Sequence, residues 1–544
     1  MLEMVKSPSK QIQEKLKPIL FYILPLSSGI LMGVTVAPIN AWFLAWIALA
    51  PLWVIVVKYT RKSLLSACWW AIAYHGIALS WITGIHPMNW LNVPWWPSLL
   101  ITIFCWSFIT LWGALLVGLW AFLMVRLNPQ KPWLRVLIGT ALWCGLESWW
   151  STGSLWWSSL SYTQSPYNLA LLHLGQLSGP NTITAVIVAV NGLIGEAWIW
   201  QNQKKREVIS TGNQLKGVTR FNKVVIGLIN RYSISALILL IVSHILGSIL
   251  YFQPYSQPLN NRQNSGLKIG IIQGNIPNEI KLLPQGFTRA ITGYTNGYIN
   301  LANQGVDGVL TPEGALPLYD NNLANTPLLD AVKQKGVVVW IGGFGRTGTS
   351  YTNSLFNINS QGQITSRYDK SKLVPLGEFV PFAEIFGNLV KRLSPLDEHQ
   401  IHGAKQQVFN TPLGRAIVGI CYESAFTEIF RYQAKNGGEF ILSSSNDAHY
   451  TAAMANQHHA QDIMRAIETD RWAVRSTNTG YSAFVDPHGR TLWKSGYNVY
   501  ETHAETIYPL QTQTLYVRFG DWIMPLLLVL AALGLIYKSL VQML

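Results

Sequence analysis

Acidic residues are scarce in the first half of the sequence. Residues 1–253 contain 17 lysines and arginines but only five acids, a net charge of +12, whereas residues 254–544 carry 23 basic and 21 acidic residues. A basic excess can indicate nucleic-acid binding when it is clustered on one face. Here the basic residues lie in short connectors between apolar runs, so we expect no nucleic-acid partner.

The sequence also lacks the spacings that mark common metal and phosphate sites. It contains no C-x-x-C and no H-E-x-x-H motif. The adjacent His458 and His459 would point to different faces of a helix. No Lys-Ser or Lys-Thr follows the glycine-rich segment 341–348, which we expect to be a turn between strands. We therefore expect no metal and no cofactor.

Long apolar runs are abundant. Because about 20 apolar residues cross a bilayer core, the runs predict eight transmembrane helices, at about 18–37, 41–57, 64–84, 96–125, 133–150, 178–200, 232–252 and 521–541. The first run follows four lysines, lacks a clear small-residue cleavage site and leads directly into the second. It therefore predicts a membrane anchor and not a removed signal peptide.

The connectors between the runs predict the orientation. Those after the second, fourth and sixth runs are rich in lysine and arginine, whereas the loops at about 85–95 and 151–167 contain neither. Basic loops stay in the cytoplasm, so we expect both termini there and residues 254–520 on the outer face of a bacterial inner membrane. The two uncharged loops carry the clusters NWLNVPWWP and WWSTGSLWW, which are typical of an interfacial aromatic belt and also of lipid contact.

From about residue 266 short β-rich runs alternate with helical stretches. The runs are LKIGIIQGNI, GVDGVLTPE, GVVVWIGGF, RAIVGICYE and GEFILSSSND, and a helix is expected at about 455–473 before GYSAFVDPHG. This alternation predicts one α/β domain with buried sheets. The resulting domains are a seven-helix membrane domain (1–253), a linker (254–265), an extracytoplasmic domain (266–510), and a connector with the last helix (511–544).

Cys421 is the only cysteine outside the predicted spans, and it ends the strand-like run AIVGIC. Extracytoplasmic cysteines are usually paired in disulfides, yet Cys421 has no partner in its own domain. A lone thiol there is either a small buried hydrophobe or a nucleophile. The local pattern alone leaves both readings open.

Charged residues near other strand-like runs favour the nucleophile. Glu313 follows one such run, Lys370 and Glu378 lie in RYDKSKLVPLGEFVPF, and Glu423 stands two residues after Cys421. A thiol nucleophile needs a base for its proton and a fixed cation to meet the charge that develops on oxygen. Glu, Lys and Cys at the ends of successive strands would supply these parts at one edge of a sheet, although each alone is typical of a surface residue.

Together with IIQGNIP, GICYE, SSSNDA and RSTNTG, these motifs resemble the nitrilase superfamily. With seven apolar runs before the domain and one after it, the chain is similar to the membrane-bound lipoprotein acyltransferases of that superfamily. The resemblance implies an α-β-β-α sandwich for 266–510, with Cys421 as nucleophile, Glu313 as general base and Lys370 as oxyanion stabiliser. It also implies that Glu378 and Glu423 are supporting acids that orient the lysine and shape the pocket.

The resemblance further implies a reaction in two halves, carried out by a monomer. Cys421 would take an acyl chain from a phospholipid as a thioester. The α-amine of a diacylglyceryl-cysteine at the N-terminus of an apolipoprotein would then attack that thioester. Both substrates are membrane lipids or lipid-anchored, which explains why such a domain would carry eight spans.

Five positions depart from the family pattern but spare Glu313, Lys370 and Cys421. They bear on acyl-chain and head-group preference and are Leu282, Thr311, Lys372, Leu376 and His449.

Two other classes stay open. A membrane-tethered amidase would use the same three residues and let water resolve the thioester, but eight spans are excessive for a tether. A transporter or assembly scaffold would use the spans themselves, yet they contain almost no paired charges of the kind a substrate pathway uses.

Overall fold

The computed structural model describes residues 19–210, 230–254, 266–375, 377–379 and 400–543. The lysines before the first apolar run, Leu376 and most of the linker 254–265 lie outside the described residues.

The apolar runs form helices, because in a bilayer each backbone N–H must find its partner within the same segment. Each predicted run overlaps at least one of them. The helices of this part and of the C-terminal segment are Leu24–Gly33, Ala50–Lys58, Ser63–Ala78, Trp95–Leu127, Pro132–Ser151, Leu169–Leu172, Gly175–Ser178, Pro180–Ser210, Arg231–Tyr251 and Ile523–Met543.

Several of these helices have the length and composition of membrane spans. Trp95–Leu127, Pro180–Glu207 and Arg231–Tyr251 are long and apolar enough to cross a bilayer individually. Trp42–Lys58 and Thr60–Ala78 meet the same criterion as a pair, with a bend of 119° between them. Phe21–Gly33, Leu169–Ser178 and Ile523–Lys538 are apolar but shorter.

The strands after residue 266 form two six-stranded sheets, in the orders β12-β1-β2-β3-β4-β5 and β11-β10-β9-β8-β7-β6. At the centre of each sheet three strands run parallel, β1 to β3 and β7 to β9. The strands are β1 Leu267–Gln273, β2 Gly308–Leu310, β3 Val338–Thr347, β4 Ser350–Ile358, β5 Ile364–Asp369, β6 Phe409–Thr411, β7 Gly414–Ile420, β8 Phe440–Ser445, β9 Ala473–Thr477, β10 Ala483–Val485, β11 Thr491–Lys494 and β12 Glu501–Ile507.

One hydrophobic core lies between the two sheets. Ile269 and Leu310 contribute to it from the first sheet, and Val418 and Leu442 from the second. Other apolar clusters join the outer face of each sheet to helices. The helices of this part are Asn278–Lys281, Pro284–Asn303, Asp320–Leu323, Pro327–Lys335, Thr427–Lys435, Ala452–Thr469 and Leu515–Phe519. Central strands buried on both faces read as continuous apolar runs, which is why the sequence revealed them.

Two details differ from the sequence-based expectations. The helix expected at 455–473 ends at Thr469, because Asp470 adopts a left-handed conformation and β9 begins at Ala473. The expected turn at 341–348 was wrong, since this segment is strand β3 as far as Thr347. Its Gly342 permits a close approach: a Cβ there would lie 2.1 Å from the carbonyl oxygen of Pro312, in the loop that carries Glu313.

A buried amide joins the helix Ala452–Thr469 to the first half of the chain. Gln457 Oε1 accepts hydrogen bonds from the indole N–H groups of Trp81 (3.1 Å) and Trp157 (2.8 Å). Its Nε2 donates to the carbonyls of Ala37 (3.0 Å) and Ala78 (2.8 Å). One side chain therefore satisfies four buried polar groups at the contact between the two parts.

We expect Gln457→Leu to lower the Tm of the detergent-solubilised protein by about 5–10 °C, because two indole N–H groups and two carbonyls lose their partner in a buried position. Differential scanning fluorimetry measures this change. The matched control is Asn456→Leu, since Asn456 lies next in the same helix but bonds to Ala452 and Lys494 near the surface. Equal Tm values for the two variants would contradict this account of the junction.

Candidate active site

Three side chains with potential catalytic roles lie one to three residues after the ends of strands. Glu313 lies three residues after β2, Lys370 follows β5 and Cys421 follows β7. Strands β2 and β5 belong to the first sheet, whereas β7 belongs to the second. The site is therefore built across both sheets, and the expectation of one edge of a single sheet was wrong.

Cys421 stands in a sharp turn at the end of β7. Its φ of +50° is left-handed, a conformation that costs a non-glycine residue about 1–2 kcal/mol. Two hydrogen bonds hold the turn: Ile420 N–H donates to Glu423 Oε2 (2.9 Å), and His458 Nε2 donates to the carbonyl of Cys421 (2.7 Å). The residue is only 6% exposed, so the turn presents the thiol to an enclosed space.

The ammonium of Lys370 bridges two carboxylates. Its Nζ lies 2.8 Å from Glu313 Oε1 and 2.8 Å from Glu378 Oε1. Asn353 Nδ2 donates to the same two oxygens, at 2.6 Å and 3.2 Å. The second oxygen of Glu313 accepts from the backbone N–H of Asn446 (2.9 Å). Every charge in this cluster is thus paired and hydrogen-bonded, as a buried charge must be.

The pairing outweighs the burial of these charges. Burial alone would raise the pKa of Glu313, but the ammonium of Lys370 holds that pKa below its usual value. Burial alone would likewise lower the pKa of Lys370, yet Glu313 and Glu378 raise it well above its usual value. Glu313 is therefore a carboxylate and Lys370 an ammonium at neutral pH.

The thiol of Cys421 is in the opposite situation. Burial raises its pKa well above the usual range, and the Glu313 carboxylate raises it further, whereas Lys370 opposes the shift. Cys421 is therefore a protonated thiol at rest. The thiolate is the nucleophilic form, so the thiol needs a base when it reacts. Glu313 is the carboxylate with the largest effect on the pKa of Cys421.

Glu423 acts on the backbone around the site and does not contact Lys370. Its Oε1 accepts from the backbone N–H (2.7 Å) and the hydroxyl (2.6 Å) of Ser371, the residue after Lys370. Its Oε2 accepts from Ile420, the residue before Cys421. Glu423 thus ties the lysine loop to the cysteine strand, while Glu378 touches the lysine directly.

Behind the thiol lies the only group of three potential metal ligands among the described residues. One ligand atom each from Cys421, Asp447 and His458 lies within 4.8 Å of the others. However, Arg475 Nη2 lies 3.1 Å from Asp447 Oδ2 and 2.9 Å from His458 Nδ1. A guanidinium already occupies the place of a cation, and His458 Nε2 is committed to a carbonyl, so this donor set fits a metal poorly.

Residues beside the thiol contact the loops of the first half of the chain. Tyr422 OH donates to the carbonyls of Ser154 (2.6 Å) and Trp156 (2.7 Å), and its ring stacks on Trp157 at a centroid distance of 6.1 Å. Lys372 Nζ donates to the carbonyl of Thr152 (3.1 Å) and lies over the ring of Phe426. The tryptophan-rich segment 151–159 therefore packs directly against the site.

Three other departures from the family pattern lie among the described residues. Thr311 is fully buried, and its hydroxyl accepts from Gly342 N–H and donates to Trp340, both at 3.2 Å. His449 packs against Trp90 at 5.4 Å, and Leu282 is 67% exposed.

Three residues at the site escaped the sequence analysis. Asn353 lies on β4, whose run SYTNSLFNI carries no motif, and His458 was weighed only as a metal ligand. Lys281 sits in the short helix after IIQGNIP, and its Nζ lies 3.2 Å from the carbonyl oxygen of Glu313. The sequence around Asn353 carries no signal of its role. Only the pairing of β4 with β5 places Asn353 beside Lys370.

Comparison with known proteins identifies the family of this chain. Residues 268–509 match the carbon-nitrogen hydrolase family, and residues 28–193 match the N-terminal domain of apolipoprotein N-acyltransferases. An apolipoprotein N-acyltransferase from Nostoc sp. is 65% identical over 509 residues, which cover 92% of this chain and 96% of that protein. The chain belongs to the apolipoprotein N-acyltransferase family.

Further relatives extend the match along nearly the whole chain. The apolipoprotein N-acyltransferase of Synechocystis sp. is 44% identical over 531 residues, 93% of this chain and 98% of that protein. The family resemblance read from the motifs is thereby confirmed, and the chain is an acyltransferase with a nitrilase-like domain. Among solved structures, an amidase from Nesterenkonia sp. is 16% identical, with a TM-score of 0.35 over 48% of this chain and 95% of that one.

We expect Glu313→Gln to shift the ionisation of Cys421 to lower pH, because the substitution removes a negative charge that disfavours the thiolate. The pH profile of iodoacetamide alkylation measures this, with peptide mapping to separate Cys421 from the three other free cysteines. Glu439→Gln, a carboxylate bonded to Gln511, is the matched control. An unchanged or upward-shifted midpoint in Glu313→Gln would show that Glu313 does not act on the thiol.

We expect His458→Leu to slow acyl transfer by about 10- to 100-fold, because the left-handed turn at Cys421 loses the donor that fixes its carbonyl. His458→Gln retains an amide N–H and should recover most of the rate. The comparison is made on kcat and KM separately, and a positioning role lowers kcat while leaving KM little changed. Equal rates for the two variants would contradict it.

Proposed function

We propose that this N-acyltransferase takes an acyl chain from a phospholipid and transfers it, through a thioester on Cys421, to the α-amine of a diacylglyceryl-cysteine at the N-terminus of an apolipoprotein. The observation that carries this proposal is the enclosed cluster in which Lys370 bridges Glu313 and Glu378 beside Cys421. It supplies a base, a cation and a nucleophile in one buried cluster.

In the first half-reaction Glu313 accepts the proton of the Cys421 thiol, and Sγ attacks the carbonyl carbon of the acyl ester. The S–C bond forms, and the negative charge that develops on the carbonyl oxygen is met by the Lys370 ammonium. The ester C–O bond then breaks, and Glu313 returns the proton to the glycerol oxygen. A lysophospholipid leaves, and the acyl chain stays on sulfur as a thioester.

In the second half-reaction the uncharged α-amine of the acceptor attacks the thioester carbonyl. The C–N bond forms and the C–S bond breaks, while Glu313 takes a proton from the nitrogen and delivers it to the sulfur. The products are an N-acylated lipoprotein and the free thiol of Cys421. Because a thioester is activated toward amines, this half needs no other energy source.

The supporting acids have separate tasks in this scheme. Glu378 gives Lys370 a second carboxylate partner, so that the ammonium keeps its place when Glu313 is protonated. Glu423 keeps the backbone of residues 371 and 420 together, which fixes the separation of the lysine from the cysteine. Neither needs to touch a substrate.

The proposal includes the membrane arrangement inferred from the sequence. Eight helices would span the inner membrane, with both termini in the cytoplasm and the domain 266–510 on the outer face. The two sheets and their covering helices would be the α-β-β-α sandwich of the superfamily, and the enzyme would act as a monomer. The tryptophan-rich loops 85–95 and 151–167 contain no lysine or arginine, which supports their placement on the outer face, where the catalytic domain would lie.

We expect the purified full-length protein, incubated with a defined phospholipid and no acceptor, to gain the mass of one acyl chain. Hydroxylamine should remove the adduct, and a diacylated lipopeptide should discharge it. Intact-protein mass spectrometry measures each step. Cys421→Ala should form no adduct, whereas Cys105→Ala, which removes a thiol from the helix Trp95–Leu127, should form it normally.

A different set of results would reject the proposal. If no phospholipid gives an adduct while a small amide is hydrolysed in a Cys421-dependent manner, the chain is an amidase that uses the same residues.

A further inference from the structure

A second lysine stands at the site and takes no part in the mechanism described above. Lys281 ends the short helix Asn278–Lys281, and its Nζ donates one hydrogen bond, to the carbonyl oxygen of Glu313 (3.2 Å). Among the described residues no carboxylate lies within 4.0 Å of this ammonium, in contrast to Lys370, which has two. Lys281 is thus a cation at the catalytic cleft whose charge is left unpaired by the described residues.

The position of Lys281 is fixed by the backbone before it. Asn478 Oδ1 accepts from Ile276 N–H (2.9 Å), and Asn478 Nδ2 donates both to the carbonyl of Ile276 (2.7 Å) and to Asn446 Oδ1 (3.0 Å). The same Asn446 donates its backbone N–H to Glu313. One asparagine therefore sets the register between the helix that carries Lys281 and the catalytic carboxylate.

Exposed apolar side chains follow Lys281 in the chain. Leu282 and Leu283, the next residues in the chain, are 67% and 49% exposed. The helix lies against the turn Asn89–Leu91 of a tryptophan-rich loop, where Trp90 packs on His449 at 5.4 Å. Asn278 Nδ2 donates to His449 Nδ1 (2.6 Å), so the histidine offers an acceptor there and no second charge. The rim combines one cation with exposed hydrocarbon.

Lys281 is half-buried, and this partial burial makes its charge costly in the absence of a partner. It lowers the pKa of Lys281 to about 8, although Glu313 and Cys421 oppose this shift. An ammonium in this situation is stabilised by any anion that reaches it. The arriving group must therefore be negative, and it must belong to a molecule that also covers the adjacent leucines.

We propose that Lys281 binds the phosphate of the donor phospholipid and thereby places its ester carbonyl at Cys421. This inference rests on the proposed function. In a glycerophospholipid the phosphate and the reacting ester share one glycerol and are only a few bonds apart. A cation near Glu313 can therefore bind the phosphate while the ester carbonyl lies at Cys421. The acceptor is the poorer occupant, because its α-amine is cationic before deprotonation and Lys281 would repel it.

The test compares two donors that carry the same acyl chain. One is phosphatidylglycerol in mixed micelles, and the other is a p-nitrophenyl ester, which has no phosphate. The measured quantity is the second-order rate constant for formation of the Cys421 adduct by the full-length protein. The variants are Lys281→Met and Lys281→Arg, and the control is Lys335→Met, since Lys335 is exposed and bonds to Asn303.

We expect Lys281→Met to slow acylation by phosphatidylglycerol about 10- to 100-fold, the range of one hydrogen bond to a charged group. Lys281→Arg should stay within about threefold of the unmodified protein, because a guanidinium also binds phosphate. The p-nitrophenyl ester should acylate all variants at equal rates. Inorganic phosphate at millimolar concentration should not inhibit, since a free anion lacks the hydrocarbon that the rim binds.

Other outcomes separate this inference from the proposed function. Equal slowing with both donors would mean that Lys281 acts through Glu313, and no slowing with either would mean that it binds no donor; both results overturn the inference while the thioester mechanism stands. Inhibition by inorganic phosphate would make the site one for a free anion and would also overturn it. Failure of every donor to acylate the unmodified protein would instead reject the proposed function.

Discussion

The site depends on one buried cation. Lys370 is 1% exposed and holds two carboxylates, Glu313 and Glu378, at 2.8 Å each. A buried ion cluster is tolerable only when every charge is paired, because the desolvation of a single unpaired ion costs several kcal/mol. Here two negative charges share one positive charge, with Asn353 and the N–H of Asn446 supplying the remaining hydrogen bonds. At Cys421 the Glu313 carboxylate disfavours the thiolate, and Lys370 offsets this effect only in part.

The carboxylate of Glu313, together with burial, keeps the thiol of Cys421 protonated before a substrate binds. In cysteine enzymes that pair the thiol with a cationic partner, the thiolate exists before substrate binds. In this protein burial and Glu313 hold the pKa of Cys421 high, so in the mechanism that we propose the thiol is ionised only when its proton passes to Glu313 during attack. Because oxidants react with the thiolate, a protonated thiol suits an unpaired cysteine in the extracytoplasmic compartment that we propose. In the proposed mechanism Glu313 is indispensable, since Lys370 alone does not overcome the burial of the thiol.

The sequence was informative where a local motif around a residue indicates the role of that residue. Glu313, Lys370 and Cys421 belong to recognisable motifs, and the strands before Glu313 and Cys421 are continuous apolar runs. Asn353, His458 and Lys281 carry no such signal, because each meets the site through a strand or helix far away in the chain. Asn353 reaches Glu313 across 40 positions and His458 reaches Cys421 across 37. The glycine-rich segment 341–348 was misread for the same reason: its Gly342 permits a close approach to Pro312 that only the packed sheet reveals.

The contacts between the site and the first half of the chain bear on why an acyltransferase has this architecture. On the helix Ala452–Thr469, Gln457 binds two indoles of the first half while the adjacent His458 binds the carbonyl of Cys421. Tyr422, next to the nucleophile, binds the carbonyls of Ser154 and Trp156. Helices that serve only as a tether hold their domain near the bilayer. They do not need to contact residues beside the catalytic cysteine. Here the loop 151–159 instead contacts Tyr422 and Lys372, so the first half of the chain helps to build the surroundings of Cys421.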